Sequence, residues 1–301
     1  MDGGDLFFSA AQLDEKPLAR QKIKARALVE GYNRMGTAAI TIGESDLAGG
    51  LEFLQEMAAV AEFPILSANL KSAAGALLFP PAVTVARGGL KVALVGVSSR
   101  LPDGAGYRFD DPLVALREHL PAAVEGADLV VLLFHGDTAD RERIEAAGLP
   151  IDLILHSHLK GVARTLRTGS IPVALLGSEG KRLSVMTIAI QDPQAPLMDI
   201  TDLQRRINFV GTALNRLGRN QPEGVPLETA YADKPHILER IAALREQESL
   251  ARNALADTGN RLTTGRVDLG PKHRDDPALL AVVNQALAAV SAVEGPLPDG
   301  R

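Results

Sequence analysis

Cysteine is absent from the whole chain, so disulfides and thiolate metal sites are both excluded, and any metal must be held by oxygen and nitrogen donors. Tryptophan is absent too and tyrosine occurs only three times, leaving few rings on which a nucleobase could stack. There is no basic excess: 32 Lys and Arg against 37 Asp and Glu give a formal net charge of −5. The cations are scattered, so no field for a phosphate backbone exists and nucleic acid is not expected as a partner. No apolar run approaches the roughly 20 residues that cross a bilayer. The start, Met1-Asp2-Gly3-Gly4-Asp5, is neither basic nor followed by a signal-type apolar core. As written the chain reads as soluble, with its compartment open; a signal peptide upstream would make it periplasmic.

What is present fits an α/β protein. With 46% hydrophobic and 23% charged residues, the 301-residue chain can bury one sizeable domain and carry an appendage. Leu18, Ile23, Ala27, Leu28 and Tyr32 recur near helical spacing, so an amphipathic helix is expected over 15–34. The apolar run 38–42, closed by Gly43, reads as a strand buried on both faces, followed by a helix from Asp46 to about Ala61. Further strands are expected at 64–69, 83–85, 92–97, 128–134, 152–155, 173–176 and 183–190, with helices near 111–124 and 138–147. Arg87-Gly88-Gly89 suits a tight hairpin, which makes the sheet mixed. Past 191–193 the texture changes to a helical hairpin, 199–217 and 229–256, then a strand-like piece at 261–269 and a helix at 277–290. The expected division is 1–192 and 193–301.

Four short segments lie where strands should end: Gly3-Gly4-Asp5-Leu6-Phe7, Gly43-Glu44-Ser45-Asp46, Phe134-His135-Gly136-Asp137 and His156-Ser157-His158. They bring carboxylates and imidazoles from distant parts of the sequence to one sheet edge, as metal-dependent hydrolases do. With the connecting pieces 64–70, 95–97, 151–154 and 177–181, these segments resemble the calcineurin-like metallophosphoesterases, and in particular their 5′-nucleotidase branch. The similarity covers roughly residues 2–190.

That resemblance implies a mixed-sheet metallophosphoesterase-like sandwich flanked by helices, followed by a mostly helical C-terminal extension. It implies hydrolysis of a small phosphorylated substrate, with two divalent ions in most members. The family's bridging aspartate falls on Asp5, its lone histidine on His135, and the first histidine of its last segment on His158, counting from Asp152. The departures are specific. The family's Asn and His of the third segment become Glu44 and Ser45, with an acid kept at Asp46; the last histidine becomes Lys160; and no Asp-x-His segment precedes Asp5. One metal position therefore keeps a full set, Asp5, Glu44, His135 and His158, while the other retains Asp5 alone. The implied site holds one ion (Zn, Mn or Fe), or two if an Asp-x-His segment exists upstream. Lys160 and Asp46 are the candidate catalytic groups, the Lys160 ammonium standing near the vacated position.

Plainer readings stay open. Asp5, in its Gly-rich turn, can merely cap a helix, Glu44 or Asp46 can be the N-cap of the helix that follows, and His135 can be a core histidine. His156 and His158, two apart in an extended segment, would share a face, and an earlier register would make both of them ligands. His119, His236 and His273 have no acid nearby in the pattern and default to solvent, while Asn69 and Asp137 read as turn formers. Two functions are expected to compete: a metal-dependent phosphoesterase, and an inactive scaffold on the same fold that uses 199–256 for a protein partner.

Overall fold

In the computed structural model, which describes residues 1–99, 101, 104–158, 164–166, 171–177, 180–219 and 221–294, helical spacing sets the first element. Helix α1 (Glu15–Arg34) buries Ala25 and Val29 on its inner stripe. Strand β1 (Ile40–Thr41) is shorter than its apolar run. The helix expected from Asp46 begins later, as α2 (Leu51–Val60), because Ser45–Leu47 forms a 3-10 turn in which the Asp46 side chain is held by other backbone. Strand β2 (Ile65–Leu66) lies parallel to β1, Ile40 opposite Ile65.

Strand β3 (Leu70–Ser72) is followed by the hairpin of β4 (Ala82–Arg87) and β5 (Leu90–Ser98), turned at Gly88-Gly89 as expected. Strand β6 (Tyr107–Phe109) pairs antiparallel with β3. Helix α3 (Pro112–Val124) starts where sequence chemistry predicts: Pro112 opens it, and the Asp111 carboxylate accepts the N–H groups of Leu113 and Val114. Strand β7 (Leu129–His135) is buried at all seven positions. Asp137 caps α4 (Thr138–Ala146) by accepting the Asp140 N–H, a helix cap in extended backbone rather than the turn former expected. Strands β8 (Leu153–Ser157), β9 (Arg164–Leu166) and β10 (Val173–Leu175) complete a six-stranded mixed sheet of order β4-β5-β7-β8-β10-β9, in which β5, β7, β8 and β10 run parallel.

Two packed layers hold this sheet. Val95, Val130, Leu132, Phe134, Ile154 and Val173 meet Leu116 and Leu120 of α3 on one side. On the other, Ile40, Ile42 and Ile65 gather with Phe7, Val29, Phe53, Leu54 and Met57. Each fully buried Leu, Ile or Phe contributes roughly 1.5–3 kcal/mol, so packing rather than any reactive group positions the strand ends. Asn69 belongs to this interior. It is fully buried, its amide donates to the carbonyls of Ser98 (2.7 Å) and Asp110 (3.0 Å), and its oxygen accepts the Ser98 N–H.

The remaining strands are β11 (Arg182–Ala189), β12 (Leu197–Asp199) and β13 (Asn260–Asp268), forming a three-stranded sheet of order β11-β13-β12. Between β12 and β13 come α5 (Thr201–Gly218), the short α6 (Leu227–Ala230) and α7 (Pro235–Ala256). Helices α5 and α7 pack as the anticipated hairpin, burying Ile207, Val210, Ile241 and Leu244. The chain divides into two units, Met1–Ser184 with Arg266–Arg301, and Val185–Gly265. The sequence reading placed everything after 192 in the extension, whereas the last helix, α8 (Pro277–Glu294), lies along α1 within the first unit and buries Val282 and Val290. Among the described residues no helix is long and apolar enough to cross a membrane.

Candidate metal centre

Asp5 stands in a left-handed backbone conformation, φ 58°, which non-glycine residues adopt at a cost and which often marks a functional turn. The turn is fixed from outside. The Asp46 carboxylate, 1% exposed, accepts the N–H groups of Asp5 (2.9 Å), Phe7 (2.9 Å) and Gly43 (2.8 Å). Burial pushes the Asp46 carboxyl up to about 7 against those three donors, and the charge of Asp5 pushes the same way. Asp5 in turn anchors one oxygen: its Oδ1 accepts the Ser45 N–H at 2.7 Å. Its Oδ2 faces the imidazoles, 3.6 Å from His135 Nε2 and 4.0 Å from His158 Nδ1.

His135 ends β7 and is fully buried. Its Nδ1 lies 3.1 Å from the Gly3 carbonyl and 3.0 Å from Ser157 Oγ. Its Nε2 is buried with no hydrogen-bond partner among the described residues. Burial holds the imidazole below its usual pKa, opposed by the Asp5 charge, so the ring is neutral as a ligand must be. His158 leaves the end of β8 at φ 75° and turns its ring edge-on to His135, the centroids 4.8 Å apart. One donor atom from each of Asp5, His135 and His158 lies within 4.8 Å of the other two. Whether a cation fits here is answered by the donors themselves. A buried imidazole nitrogen without a partner, a carboxylate oxygen turned towards it and a second imidazole, 44% exposed, give a half-open N₂O set suited to Zn, Mn or Fe.

The other candidates fall elsewhere. Glu44 is half-buried and its charge acts on His135, yet it is not part of the three-residue cluster. The expectation that His156 and His158 share a face is corrected. The strand ends at Ser157 and His158 departs in a left-handed turn, so His156 remains on the Phe134 side, 4.9 Å between ring centroids, with Nε2 2.8 Å from the Gly136 carbonyl. Asp46 sits behind the Asp5 turn, engaged by backbone amides. Lys160 lies outside the described residues. His119 is not left to solvent: its side chain is 18% exposed, with Nε2 3.6 Å from Glu118.

Two parts of the centre lie inside the four segments without a role assigned to them there, Ser157 and Gly43. A Cβ at Gly43 would stand 2.3 Å from Asp5 Oδ1 and 2.7 Å from His135 Cε1, so the ligands close over this residue only because it has no side chain. The strand-ending glycine was the available signal. Replacing Gly43 with Ala should weaken zinc binding at least about tenfold, some 1.4 kcal/mol, with the fold retained; titration calorimetry beside circular dichroism checks it, and undiminished affinity would contradict the packing argument.

No family model matches the sequence, and no curated protein does. Solved structures do. Thermus thermophilus sulfate thiohydrolase SoxB is 25% identical over 62% of this chain and 35% of its own, with a TM-score of 0.53. The calcineurin-like phosphoesterase YfkN of Bacillus subtilis is 17% identical over 97% of this chain and 83% of its own, with a TM-score of 0.61. The 5′-nucleotidase of Candida albicans is 10% identical over 87% of this chain and 44% of its own, with a TM-score of 0.51. The chain thus spans about a third of the Thermus protein and most of the Bacillus one. With its mixed parallel sheet, its helical C-terminal stretch and strand ends gathered at Asp5 and His135, it has, in a divergent form, the fold shared by calcineurin-like phosphoesterases and 5′-nucleotidases.

Proposed function

We propose that this chain is a metal-dependent phosphoester hydrolase working with one divalent ion, held by Asp5, His135 and His158, with Glu44, whose charge also acts on His135, as a further carboxylate donor. The unpartnered, fully buried Nε2 of His135 carries the reading, because a buried polar atom without a partner costs about 1–3 kcal/mol and a cation would satisfy it. When bound, the ion supplies Lewis-acid charge to the phosphoryl group and to the attacking water. The chain's own residues do the rest. Asp5 Oδ1, pinned by the Ser45 amide, keeps Oδ2 turned to the imidazoles. The neutral His135 ring cannot stray, and the more exposed His158 sits where a small phosphorylated substrate enters. Lys160 is the candidate cation for the substrate's anionic oxygens. Asp46 is assigned to holding the turn.

The likeness to a sulfate thiohydrolase favours a second reading, a substrate whose tetrahedral anion is centred on sulfur. One assay covers both. Metal-stripped protein given Mn²⁺ or Zn²⁺ should hydrolyse p-nitrophenyl phosphate and lose that activity with EDTA; preference for p-nitrophenyl sulfate selects the second reading. Failure to take up either ion would leave the fold as a scaffold, with 199–256 as the partner surface.

A further inference from the structure

We propose that Ser157 sets the tautomer of His135 and thereby keeps Nε2 free to grip a cation; the inference rests on the metal reading above. Proton accounting around Nδ1 carries it. Nδ1 has two oxygen neighbours, the Gly3 carbonyl and Ser157 Oγ. A carbonyl can only accept. Ser157 Oγ stands in close contact with that same Gly3 carbonyl oxygen, and two bare oxygens repel at such a contact, so the hydroxyl proton belongs between them rather than towards Nδ1 or the Phe134 carbonyl, 3.4 Å away. Ser157 Oγ therefore meets Nδ1 as an acceptor as well, and Nδ1 must carry the ring proton. A neutral imidazole has one N–H, so Nε2 is left as a bare lone pair, in agreement with its lack of any partner among the described residues.

The opposite tautomer has a strong claim of its own. An Nε2–H would be drawn by the charge of Asp5, whose Oδ2 lies 3.6 Å away, beyond hydrogen-bond length but well within Coulomb range. Two oxygens at Nδ1 hold the proton against that pull; one would not. Strand register supplies the second oxygen, because Ser157 of β8 lies directly opposite His135 of β7. Gly3 makes room for it, since a Cβ there would stand 2.6 Å from Ser157 Cβ. Ser157 is thus a positioning residue: it touches no substrate and acts through the imidazole.

The test is side-chain ¹⁵N NMR of histidine-labelled, metal-free protein at pH 8, with the His135 signal assigned by its absence from His135→Gln, together with zinc titration. Wild type should show the Nδ1–H form. Ser157→Ala should show mainly Nε2–H and bind zinc about 10–100-fold more weakly, as expected when a partner orienting a metal ligand is removed. The proposal is overturned if wild type shows Nε2–H, if Ser157→Ala keeps Nδ1–H, or if its zinc affinity is unchanged. A loss of affinity with the tautomer unmoved would mark Ser157 as merely structural and equally overturn it. Wild-type protein that binds no zinc defeats the metal reading instead, and the NMR comparison then decides the tautomer assignment by itself.

Discussion

Replacing His135 with Ala should abolish metal uptake while leaving helix and strand content intact. The ring contributes the buried donor of the cluster, while the strand that carries it is buried at every position and so does not depend on the imidazole's contacts with Gly3 and Ser157. Loss of a partner that merely orients a metal ligand lowers affinity about 10–100-fold, so loss of the ligand should exceed about 100-fold. Metal content after reconstitution and desalting should fall from about one equivalent per chain to a small fraction of that. The void left at this buried strand end should cost about 1–3 kcal/mol of stability, which circular dichroism and thermal unfolding will separate from unfolding outright. Unchanged metal content in a folded variant would refute the assignment of His135.

The second large effect is on stability. Asp46→Ala removes the acceptor of three backbone N–H groups, those of Asp5, Phe7 and Gly43. Each donor left buried without a partner costs about 1–3 kcal/mol, so a loss of about 3 kcal/mol or more is expected near pH 5. The effect also depends on pH, with a sign fixed by burial. Desolvation raises the folded carboxyl from 3.8 to about 7, so between those values the native state holds a proton that the unfolded state has released. Wild-type stability from this group is therefore complete below about 4 and declines as pH rises through 7. The gap between wild type and Asp46→Ala should narrow from pH 5 to pH 8; urea unfolding at the two pH values measures it. A gap that widens with pH would show that the three amides, rather than burial, dominate the carboxyl.

These residues also show where the sequence could be read and where it could not. Runs of apolar residues and their breakers marked most elements, because period and punctuation are local: α1, the β4–β5 hairpin, α3 and the α5–α7 pair all lie close to where their patterns placed them. The four segments stand out because each lies where a strand should end, but within them Asp5, His135 and His158 are singled out only by the resemblance to metallophosphoesterases. Their convergence was beyond local reading, since it depends on the Asp2 to Ile40 bridge, the β7–β8 register and left-handed turns at two of the three donors. The same left-handed turn at His158 defeated the two-residue spacing rule and sent His156 to the opposite face. Asp46 was misleading for a related reason. An acid before an apolar helical stretch suggests a cap or a cleft residue, and nothing local reveals that its acceptors serve amides some 40 residues away. Helix α8 carries an apolar pattern that any partner helix could satisfy, so its pairing with α1 could not be inferred from that pattern alone.

The central claim is that Asp5, His135 and His158 close on one divalent ion. Anomalous diffraction from crystals grown with Zn²⁺ or Mn²⁺ tests it most directly. The account predicts a single strong peak at coordination distance, roughly 2.0–2.2 Å, from Asp5 Oδ2, His135 Nε2 and His158 Nδ1. A peak elsewhere on the chain, or these three side chains folded without an ion at saturating metal, would contradict it.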